Sequence, residues 1–545
     1  MYFGISSRTM QKLGISGFFN TLILIILLLL SAPLNGQHYL LSNKPQLNQK
    51  KSLYHLPIGE NEFGTYTMNY VSMYLKDGFS LEWYDAEMGV QEDRFIDVAK
   101  RSWVLRVWVT DSTVCWLTAI KKRRQGFFLY LNKLPSNLKG EIQTQLLQSI
   151  AIKEINSDDI IVRNHPRDFS FVLGYIKKEK TGTSVNFLQF SPNGILLNDL
   201  NKDLPYEMNS IYWEDLELAS FSGESFMGLM HITKPKEMFK STRQSIYLAI
   251  GHVESTFTSP KISIEKWGKN RPDRLKTHKL SVEEKWKNKD VSDSLVFFET
   301  NCEELLQKPI LNFNPQNSCW VISGLWGNIK SESKGYWIWQ IFRDSNENSV
   351  VNNFSLKEYT LNASKILDGI IKRRKKVDPE NYIARRLIFQ ADGSMVILLE
   401  RFVELKQLET YYINGIPQTA TKILYNYNEI GLLFVNKELN IDTCLRIDKE
   451  QTASPNTAYL LGFGSFICED GIHLLYNADI SKDNDVLDVI VRPNYEIITR
   501  TLINSDHVYS VMVPMDGKET NYCTFTVPLL KDKQWFWMKV IDYVK

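Results

Sequence analysis

The sequence contains few of the residues from which metal and redox centres are built. Among 545 residues there are eight His and six Cys, with no Cys-x-x-Cys pair and no His at zinc-ligand spacing from a Cys. Two stretches, 344–348 and 483–488, carry side-chain oxygens at alternate positions, as a calcium loop does. They lack the turn glycine and the terminal Glu of such a loop. The pattern therefore predicts no metal site, no cofactor and no cofactor-binding residues.

The cysteines are scattered along the chain, at Cys115, Cys302, Cys319, Cys444, Cys468 and Cys523. In an oxidising compartment Cys302 and Cys319 could close a loop. Most of the six lie inside apolar, strand-like runs, where a cysteine behaves as a small buried hydrophobe. We therefore expect buried thiols at four or more of these positions.

The chain also lacks a charge of one sign, since 64 Lys and Arg stand against 62 Asp and Glu. Two basic clusters, 121–124 and 372–376, interrupt this balance. The first is typical of a solvated hairpin tip, and the second follows a short helical pattern whose C-terminal end favours cations. With a formal net charge of only +2 and no interleaved aromatic residues, nucleic-acid binding is not expected.

One long apolar run is present, and it stands at the N-terminus. Arg8 and Lys12 precede residues 21–30, which are almost all Leu and Ile, and Ser31-Ala32-Pro33 and a small residue before Gln37 follow. This order is typical of a secretory signal peptide, so we expect residues 1–36 to be removed on export. The run is short for a transmembrane helix, although Phe18 and Phe19 could extend it into an uncleaved membrane anchor.

Short β-type runs fill the rest of the chain. Positive-φ turn pairs separate many of them, at Asp77-Gly78, Asn193-Gly194, Asp392-Gly393, Asp470-Gly471 and Asp516-Gly517. Groups of three or four strands that recur every ~50–70 residues predict an all-β fold, a β-propeller of six or seven blades. We assign residues 37–545 to one propeller-like domain; tandem β-sandwiches are the alternative.

Residues 355–381 depart from the strand pattern. Ile366, Leu367, Ile370 and Ile371 stand at helical spacing before the second basic cluster and Pro379. We expect a short helical insertion between blades there.

Motifs for catalysis are weak. Residues 223–228 resemble a nucleophile elbow around Ser225, but Met227 stands where the strained turn needs glycine. Residues 462–467 lack the third glycine of a dinucleotide fingerprint. Glu400, Asp168 and Asp215 are acids near strand ends that could converge on a propeller axis, as the carboxylate pair of a glycan-cleaving enzyme does. We assign no catalytic residue.

Several stretches from residue 381 onward occur in a familiar order. Residues 386–394 lead into 396–402, and 425–430, 449–451 and 474–477 follow. The order is similar to that of a Bacteroidetes-type family of exported, propeller-like proteins without an assigned function, and the similarity covers most of the chain. Cys444 stands where that family usually carries a tryptophan. The resemblance implies a fold and a compartment and brings no catalytic residues.

These features together predict an exported envelope protein, in the periplasm or at the cell surface. A non-catalytic binding or scaffolding role is favoured over catalysis, with an unknown protein or glycan as ligand. The alternatives are an envelope enzyme acting on glycans and a membrane-anchored protein with an uncleaved N-terminal helix.

Overall fold

The computed structural model describes most of the chain after residue 38. The described residues are 39–43, 54–70, 78–99, 102–122, 126–150, 159–179, 182–204, 211–219, 225–233, 245–252, 263–266, 276–279, 296–302, 309–316, 319–328, 332–342, 352–355, 382–414, 416–480, 485–504 and 509–541. The predicted signal peptide, the basic cluster 372–376 and all of the predicted insertion after Ser355 lie outside them.

Four small antiparallel sheets follow one another in the first part of the chain, each with its strands in sequence order. Sheet 1 has β2 (Tyr54–Asn61), β3 (Gly64–Tyr70), β4 (Phe79–Tyr84) and β5 (Val90–Ile96). Sheet 2 has β6 (Ser102–Val109), β7 (Thr113–Lys122), β8 (Gly126–Pro135) and β9 (Gln143–Ile150). Sheet 3 has β10 (Ile160–Asn164), β11 (Phe171–Glu179), β12 (Gly182–Phe190) and β13 (Leu196–Leu204). Sheet 4 has β14 (Ile211–Leu218), β15 (Phe226–Thr233), β16 (Ser245–His252) and β19 (Val296–Cys302).

Four similar sheets follow, and a separate hairpin precedes β19. The hairpin pairs β17 (Ser263–Lys266) with β18 (Lys276–Lys279). Sheet 5 has β20 (Ile310–Asn314), β21 (Cys319–Asn328), β22 (Glu332–Phe342) and β23 (Asn352–Ser355). Sheet 6 has β24 (Tyr382–Phe389), β25 (Met395–Ile413), β26 (Ile416–Val435), β27 (Ile441–Ile447) and the short β28 (Gln451–Ala453). Sheet 7 has β29 (Gly464–Cys468), β30 (Gly471–Asn477), β31 (Val486–Val491) and β32 (Ile497–Ile503). Sheet 8 has β33 (Ser510–Met512), β34 (Lys518–Asn521), β35 (Thr524–Lys531), β36 (Gln534–Ile541) and β1 (Tyr39–Leu41).

The first strands of successive sheets contact one another around a ring. Contacts join β2 to β6, β6 to β10, β10 to β14, β14 to β20 and β20 to β24. Arg386 on β24 donates to the backbone carbonyl of Ser465 on β29, and β29 contacts β34, which contacts β2 again. Small sheets whose inner strands meet in a closed ring define a β-propeller, which confirms the predicted fold class over the alternative of tandem sandwiches.

The ring is closed by strands from distant parts of the sequence. The chain that enters at β1 becomes the outermost strand of sheet 8, where Tyr39 pairs with Val540 and Leu41 with Met538. Trp537 N also donates to Ser42 Oγ at 3.1 Å. Sheet 8 is therefore completed by residues from both halves of the chain.

Within the described residues there are eight such sheets, one or two more than the sequence predicts. The additional one is sheet 1, whose β2 and β3 are rich in Thr, Asn, Glu and Gly and show no apolar run. The apolar stretch 459–463 does not form a strand, because Ala458–Leu460 form a 3-10 helix before β29 begins at Gly464. The other 3-10 helix is Pro514–Asp516, and no α-helix occurs in the part of the chain described.

The core lies between neighbouring sheets, because a propeller buries both faces of its middle strands. All seven residues of β30 are buried, and one apolar cluster joins sheets 6, 7 and 8 around Leu398, Leu474 and Val527. Outermost strands such as β13 alternate exposed with less exposed residues. Because exposed positions interrupt the outer strands, those strands lack long apolar runs. The middle strands are therefore easier to recognise in the sequence than the outer ones.

One hairpin is much longer than the sheet that carries it. The strands β24, β27 and β28 pair with the base of β25 and β26, whereas residues 405–413 and 416–424 of this hairpin pair only with each other. We call residues 405–413 and 416–424 the ribbon. Large apolar side chains lie exposed on it, with Leu408 77% and Tyr412 72% accessible.

Cysteine pairing differs from the expectation. Cys468 and Cys523 form a disulfide that joins sheet 7 to the start of β35. Cys319 is a buried free thiol, so the suggested bridge from Cys302 to Cys319 does not form, and Cys115 is also a buried free thiol. Of the five predicted turn glycines, four have the expected positive φ, namely Gly78 (111°), Gly194 (77°), Gly393 (86°) and Gly471 (148°). Gly517 is the exception, because it has φ −72° and ends the second 3-10 helix.

Candidate binding site in the central channel

Charged side chains lie on the innermost strands of five sheets, around the axis of the propeller. We call them the channel residues: Arg106 on β6, Arg163 on β10, Asp215 and Glu217 on β14, Arg386 on β24, and Lys518 and Glu519 on β34. Innermost strands have one edge without a neighbouring strand in their own sheet, so they border the channel.

The contacts of these residues skip whole sheets, which places them close to the axis. Arg386 of sheet 6 forms an ion pair with Glu519 of sheet 8 at 2.6 Å. Lys518 of sheet 8 lies close enough to Arg106 of sheet 2 and Arg163 of sheet 3 for their charges to lower its pKa. Groups on non-adjacent sheets approach one another in this way only where the inner strands converge.

The acidic side of the channel is held by Arg163. Its Nη2 lies 2.7 Å from Glu217 Oε2 and 3.7 Å from Asp215 Oδ1, and its Nε donates to the same Glu217 oxygen at 3.0 Å. Burial alone would lower the pKa of Arg163, but the charges of Glu217 and Asp215 outweigh burial and raise it. Burial also raises the pKa of Glu217 despite its partner.

The basic side consists of Arg106 and Lys518, neither of which has an ion-pair partner in the described structure. Arg106 Nε donates to the amide oxygen of Asn164 at 3.2 Å, and Lys518 Nζ donates to the backbone carbonyl of Ile58 at 2.5 Å. Burial and the charge of Arg163 lower the pKa of Arg106 to about 10. Burial and the charges of Arg106 and Arg163 lower the pKa of Lys518 to about 8.

The sequence suggested that Glu400, Asp168 and Asp215 could converge on the axis and supply a catalytic pair. Of these three acids, only Asp215 belongs to the channel. Asp168 lies in the turn between β10 and β11, where it accepts hydrogen bonds from the backbone and hydroxyl of Ser170. Glu400 lies on β25 and is completely buried. The three acids lie in three different sheets with separate partners, so the structure does not bring them together.

Glu400 is the centre of a buried ionic network between sheets 6 and 7. Its two oxygens contact Arg385 Nη2 and Lys449 Nζ, each at 2.5 Å. Lys449 is as completely buried as Glu400, and it also donates to Gln451 Oε1 at 2.9 Å. Gln451 in turn donates to the backbone carbonyl of Asn477 in sheet 7 at 2.6 Å. This arrangement joins two sheets and leaves no carboxylate oxygen facing solvent.

A second buried group surrounds His473 on β30. Its Nδ1 lies 3.0 Å from Asp488 Oδ2, its Nε2 lies 2.8 Å from Asp470 Oδ1, and Asp488 also accepts from Arg500. Burial lowers the pKa of His473, but the hydrogen bonds and charges of Asp488 and Asp470 outweigh burial and raise it. Cys468 Sγ, Asp470 and His473 offer three ligand atoms within 4.8 Å of one another, but this sulfur is part of the disulfide. The group is therefore an imidazole between two carboxylates.

The remaining sequence motifs take structural roles where they are described. Ser225 is completely buried at the start of β15, so it does not stand on an exposed nucleophile elbow. Gly462 has φ 89°, and a Cβ there would lie 2.8 Å from Met515 Sδ, which explains the glycine without a nucleotide. Lys121 is exposed near the end of β7, as expected for a hairpin tip. The oxygen-rich stretch 344–348 lies outside the described residues.

Sequence reasoning missed six of the seven channel residues. Arg106 carries a readable signal, because it is the single charge within the apolar run Trp103–Val109. Lys518 and Glu519 lie in a polar stretch that shows no strand period, so nothing in the sequence places them near Arg106.

Comparisons with known proteins add little beyond this geometry. No family model and no curated protein matches the chain. Among solved structures, a prolyl endopeptidase aligns at 9% identity and TM-score 0.32 over 81% of this chain and 51% of its own. A β-fructofuranosidase of Bombyx mori aligns at 9% identity and TM-score 0.25 over 90% of this chain and 91% of its own. A neuraminidase-like protein of a flat-faced bat isolate aligns at 8% identity and TM-score 0.24 over 76% of this chain and 93% of its own.

The chain spans about half the length of the prolyl peptidases that it matches. At these identities and TM-scores no activity transfers from the matches to this chain. The fold assignment rests on the strand pairing and the closed ring. What the structure defines by itself is a β-propeller with an ionic central channel.

Proposed function

We propose that this chain is an exported, non-catalytic binding protein of the bacterial envelope, which receives its ligand in the central channel. The observation that carries the proposal is the group of seven charged channel residues, to which five sheets contribute. Charges concentrated near the axis offer hydrogen bonds and a directed field to a polar ligand. The ligand would be a protein or a glycan that presents a polar group to this face of the ring.

Support for export comes first from the sequence. The N-terminal pattern of Arg8, the apolar run 21–30 and the small residues before Gln37 is typical of a signal peptide. The same compartment suits the disulfide between Cys468 and Cys523. The described residues contain no helix long and apolar enough to span a membrane. The resemblance to exported Bacteroidetes-type proteins favours the periplasm or the cell surface.

Export is tested by intact mass and N-terminal sequencing of the protein from fractionated native cells. We expect a chain that begins near Gln37 in the periplasm, the surface fraction or the medium. A chain that keeps residues 21–30 in the membrane fraction would contradict the cleaved signal and favour the anchored alternative.

Binding in the channel is tested by affinity capture from envelope extracts with the mature chain. We expect a ligand whose capture is lost in Arg106→Gln and Lys518→Met and is retained in Lys139→Gln, which changes a surface cation 67% exposed. Capture that none of these variants affects would place the binding site elsewhere on the molecule.

The rival proposal is an envelope enzyme acting on glycans. The channel does contain three carboxylates, but Asp215 and Glu217 both lie beside Arg163, and Glu519 pairs with Arg386. Turnover of envelope polysaccharides that disappears in Asp215→Asn or Glu217→Gln, with ligand affinity retained, would favour the enzyme over the binding protein.

A further inference from the structure

The centre of the channel carries more positive than negative charge. The charge of Arg163 lowers the pKa of Arg106, and the charges of both arginines lower the pKa of Lys518. The acids that act on the two arginines are Asp215 and Glu217. Both acids form ion pairs with Arg163, whose Nη2 lies 2.7 Å from Glu217 Oε2 and 3.7 Å from Asp215 Oδ1. Arg386 adds nothing to the excess because it is neutralised by Glu519.

The unneutralised cations are Arg106 and Lys518. Each donates one described hydrogen bond to a neutral oxygen, that of Asn164 and that of Ile58. An Arg guanidinium has five N–H donors and a Lys ammonium has three, so donors remain available on both side chains. Two cations that repel each other in a partly desolvated place are unfavourable unless an anion joins them.

The surroundings of Lys518 are both enclosed by protein and accessible to water. Lys518 is exposed to solvent, yet burial is the main cause that lowers its pKa to about 8. A side chain that projects into a water-filled channel with protein on all sides would show both properties, solvent exposure and a pKa lowered by burial. Such a channel admits a small hydrated group and strengthens its electrostatic attraction relative to open solvent.

We propose that Arg106, Arg163 and Lys518 form a binding site for a compact oxyanion: a carboxylate, sulfate or phosphate group. The inference deepens the proposed function, on which it rests, by naming the chemical class of the ligand. Arg106 and Lys518 supply charge-assisted hydrogen bonds, and Arg163 supplies long-range attraction while it holds the two acids away from the anion.

Binding depends on pH through Lys518. The titratable and charged groups near Lys518, or on the strands packed against β34, include the following residues: Arg106, Arg163, Asp215, Glu217, His55, Glu60, Lys531, Lys539, Arg386 and Glu519. Because the pKa of Lys518 is lowered to about 8, the ammonium loses its proton as the pH rises through that value. Anion affinity is therefore expected to fall above about pH 8.

The experiment is titration calorimetry of the mature chain with sodium sulfate, sodium phosphate and sodium glucuronate. Sodium chloride keeps the ionic strength constant, so general screening stays the same throughout. We expect saturable binding of one or more of the three at pH 7. Lys518→Met and Arg106→Gln are each expected to weaken it about tenfold or more, because each removes a charge-assisted hydrogen bond. Lys139→Gln is the matched surface control and should bind as the wild type does.

A conservative variant separates the charge of Lys518 from its packing. Lys518→Arg keeps a cation at every pH used, so it should bind at pH 9 while the wild type loses affinity there. Lys518→Met should be as thermally stable as the wild type without ligand, because it relieves repulsion. If either of the two neutral variants fails to fold, the other one and Lys518→Arg still carry the test.

Four outcomes decide the proposal. Tighter binding of glucuronate than of sulfate or phosphate supports an acidic group on a glycan, and the reverse order supports a free inorganic anion. No saturable binding of the three probes, or equal affinity in wild type and Lys518→Met, overturns the anion site. Capture of a neutral envelope ligand that Lys518→Met leaves intact would overturn the anion site and keep the binding protein.

Discussion

At the scale of single residues, Glu400 shows how a buried charge can be structural. Its carboxylate is completely buried and is compensated by Arg385 and Lys449, and Lys449 reaches Gln451, which contacts the next sheet. Burial lowers the pKa of Lys449, since the charged ammonium is partly desolvated. A carboxylate in this setting holds blades together and is not available to a ligand.

Substitution of Glu400 by Gln should therefore destabilise the protein. We expect the free energy of unfolding to fall by about 3–5 kcal/mol, because Lys449 is left buried without its counter-charge. The measurement is chemical denaturation of the two proteins. Glu409→Gln is the matched control in the same strand: its partner Lys422 is exposed, so the change should cost about 0–1 kcal/mol. Equal effects of the two substitutions would contradict the structural role of Glu400.

His473 and His55 are expected to give opposite pH dependences. The pKa of His473 is raised by Asp488 and Asp470, so the stability it contributes is present at low pH and is lost as the pH rises from 6.5 through the raised value. Burial lowers the pKa of His55, so its contribution improves as the pH rises towards 6.5.

The measurement is the difference in thermal midpoint between wild type and His473→Gln, and between wild type and His55→Gln, from pH 5 to 9. The advantage of the wild type over His473→Gln should shrink as the pH rises. The midpoint of the wild type relative to His55→Gln should instead increase as the pH rises. Parallel curves for the two histidines would show that Asp470 and Asp488 do not stabilise the imidazolium.

At the scale of strands, the ribbon is the part of the fold that packs least. Residues 405–413 of β25 and 416–424 of β26 pair only with each other, and Leu408 is 77% accessible. The base of the same hairpin is core, where Leu398 is completely buried. One strand therefore passes from a packed to an exposed environment along its length.

We expect Leu408→Ser to change the free energy of unfolding by about 0.5 kcal/mol or less, as exposed substitutions usually do. Leu398→Ala in the same strand should cost about 2–5 kcal/mol, because it leaves a cavity in the core between sheets 6 and 7. Denaturant unfolding of both variants measures the contrast. A large loss in Leu408→Ser would mean that the ribbon packs against the rest of the chain.

The sequence predicts middle strands well because their apolar runs record burial on both faces. Apolar runs at 245–252, 472–476 and 535–540 coincide with β16 or lie within β30 and β36. Sheet 1 was missed because its outer strand β5 contains the charged run 92–94 and its inner strands β2 and β3 show no apolar run. The channel could not be predicted, since contacts such as that of Arg386 with Glu519 join residues 133 positions apart.

At the scale of the whole molecule, the junction between sheets 8 and 1 closes the ring. Glu82 accepts from Tyr84 and from the Trp537 indole, and Lys539 pairs with Glu60 at 2.6 Å. On the outer side β1 pairs with β36. Strands from both ends of the described chain therefore contribute to one sheet.

Removal of β1 should weaken this junction. A chain that begins at Asn43 is expected to melt at a lower temperature than one that begins at His38, since it loses the pairing with β36 and the bond from Trp537 N to Ser42 Oγ. Thermal unfolding of the two chains measures the loss. The chain that begins at His38 is the control and should melt as the full mature protein does.

This closure makes the order of synthesis matter. β1 is synthesised well before its partner β36, with 495 positions between Ser42 and Trp537. A chain that has not yet added β36 lacks the strand with which β1 pairs in sheet 8. An unpaired strand edge is able to join another chain. Ring closure thus requires both β1 and β36, so sheet 8 is completed only after β36 has been made.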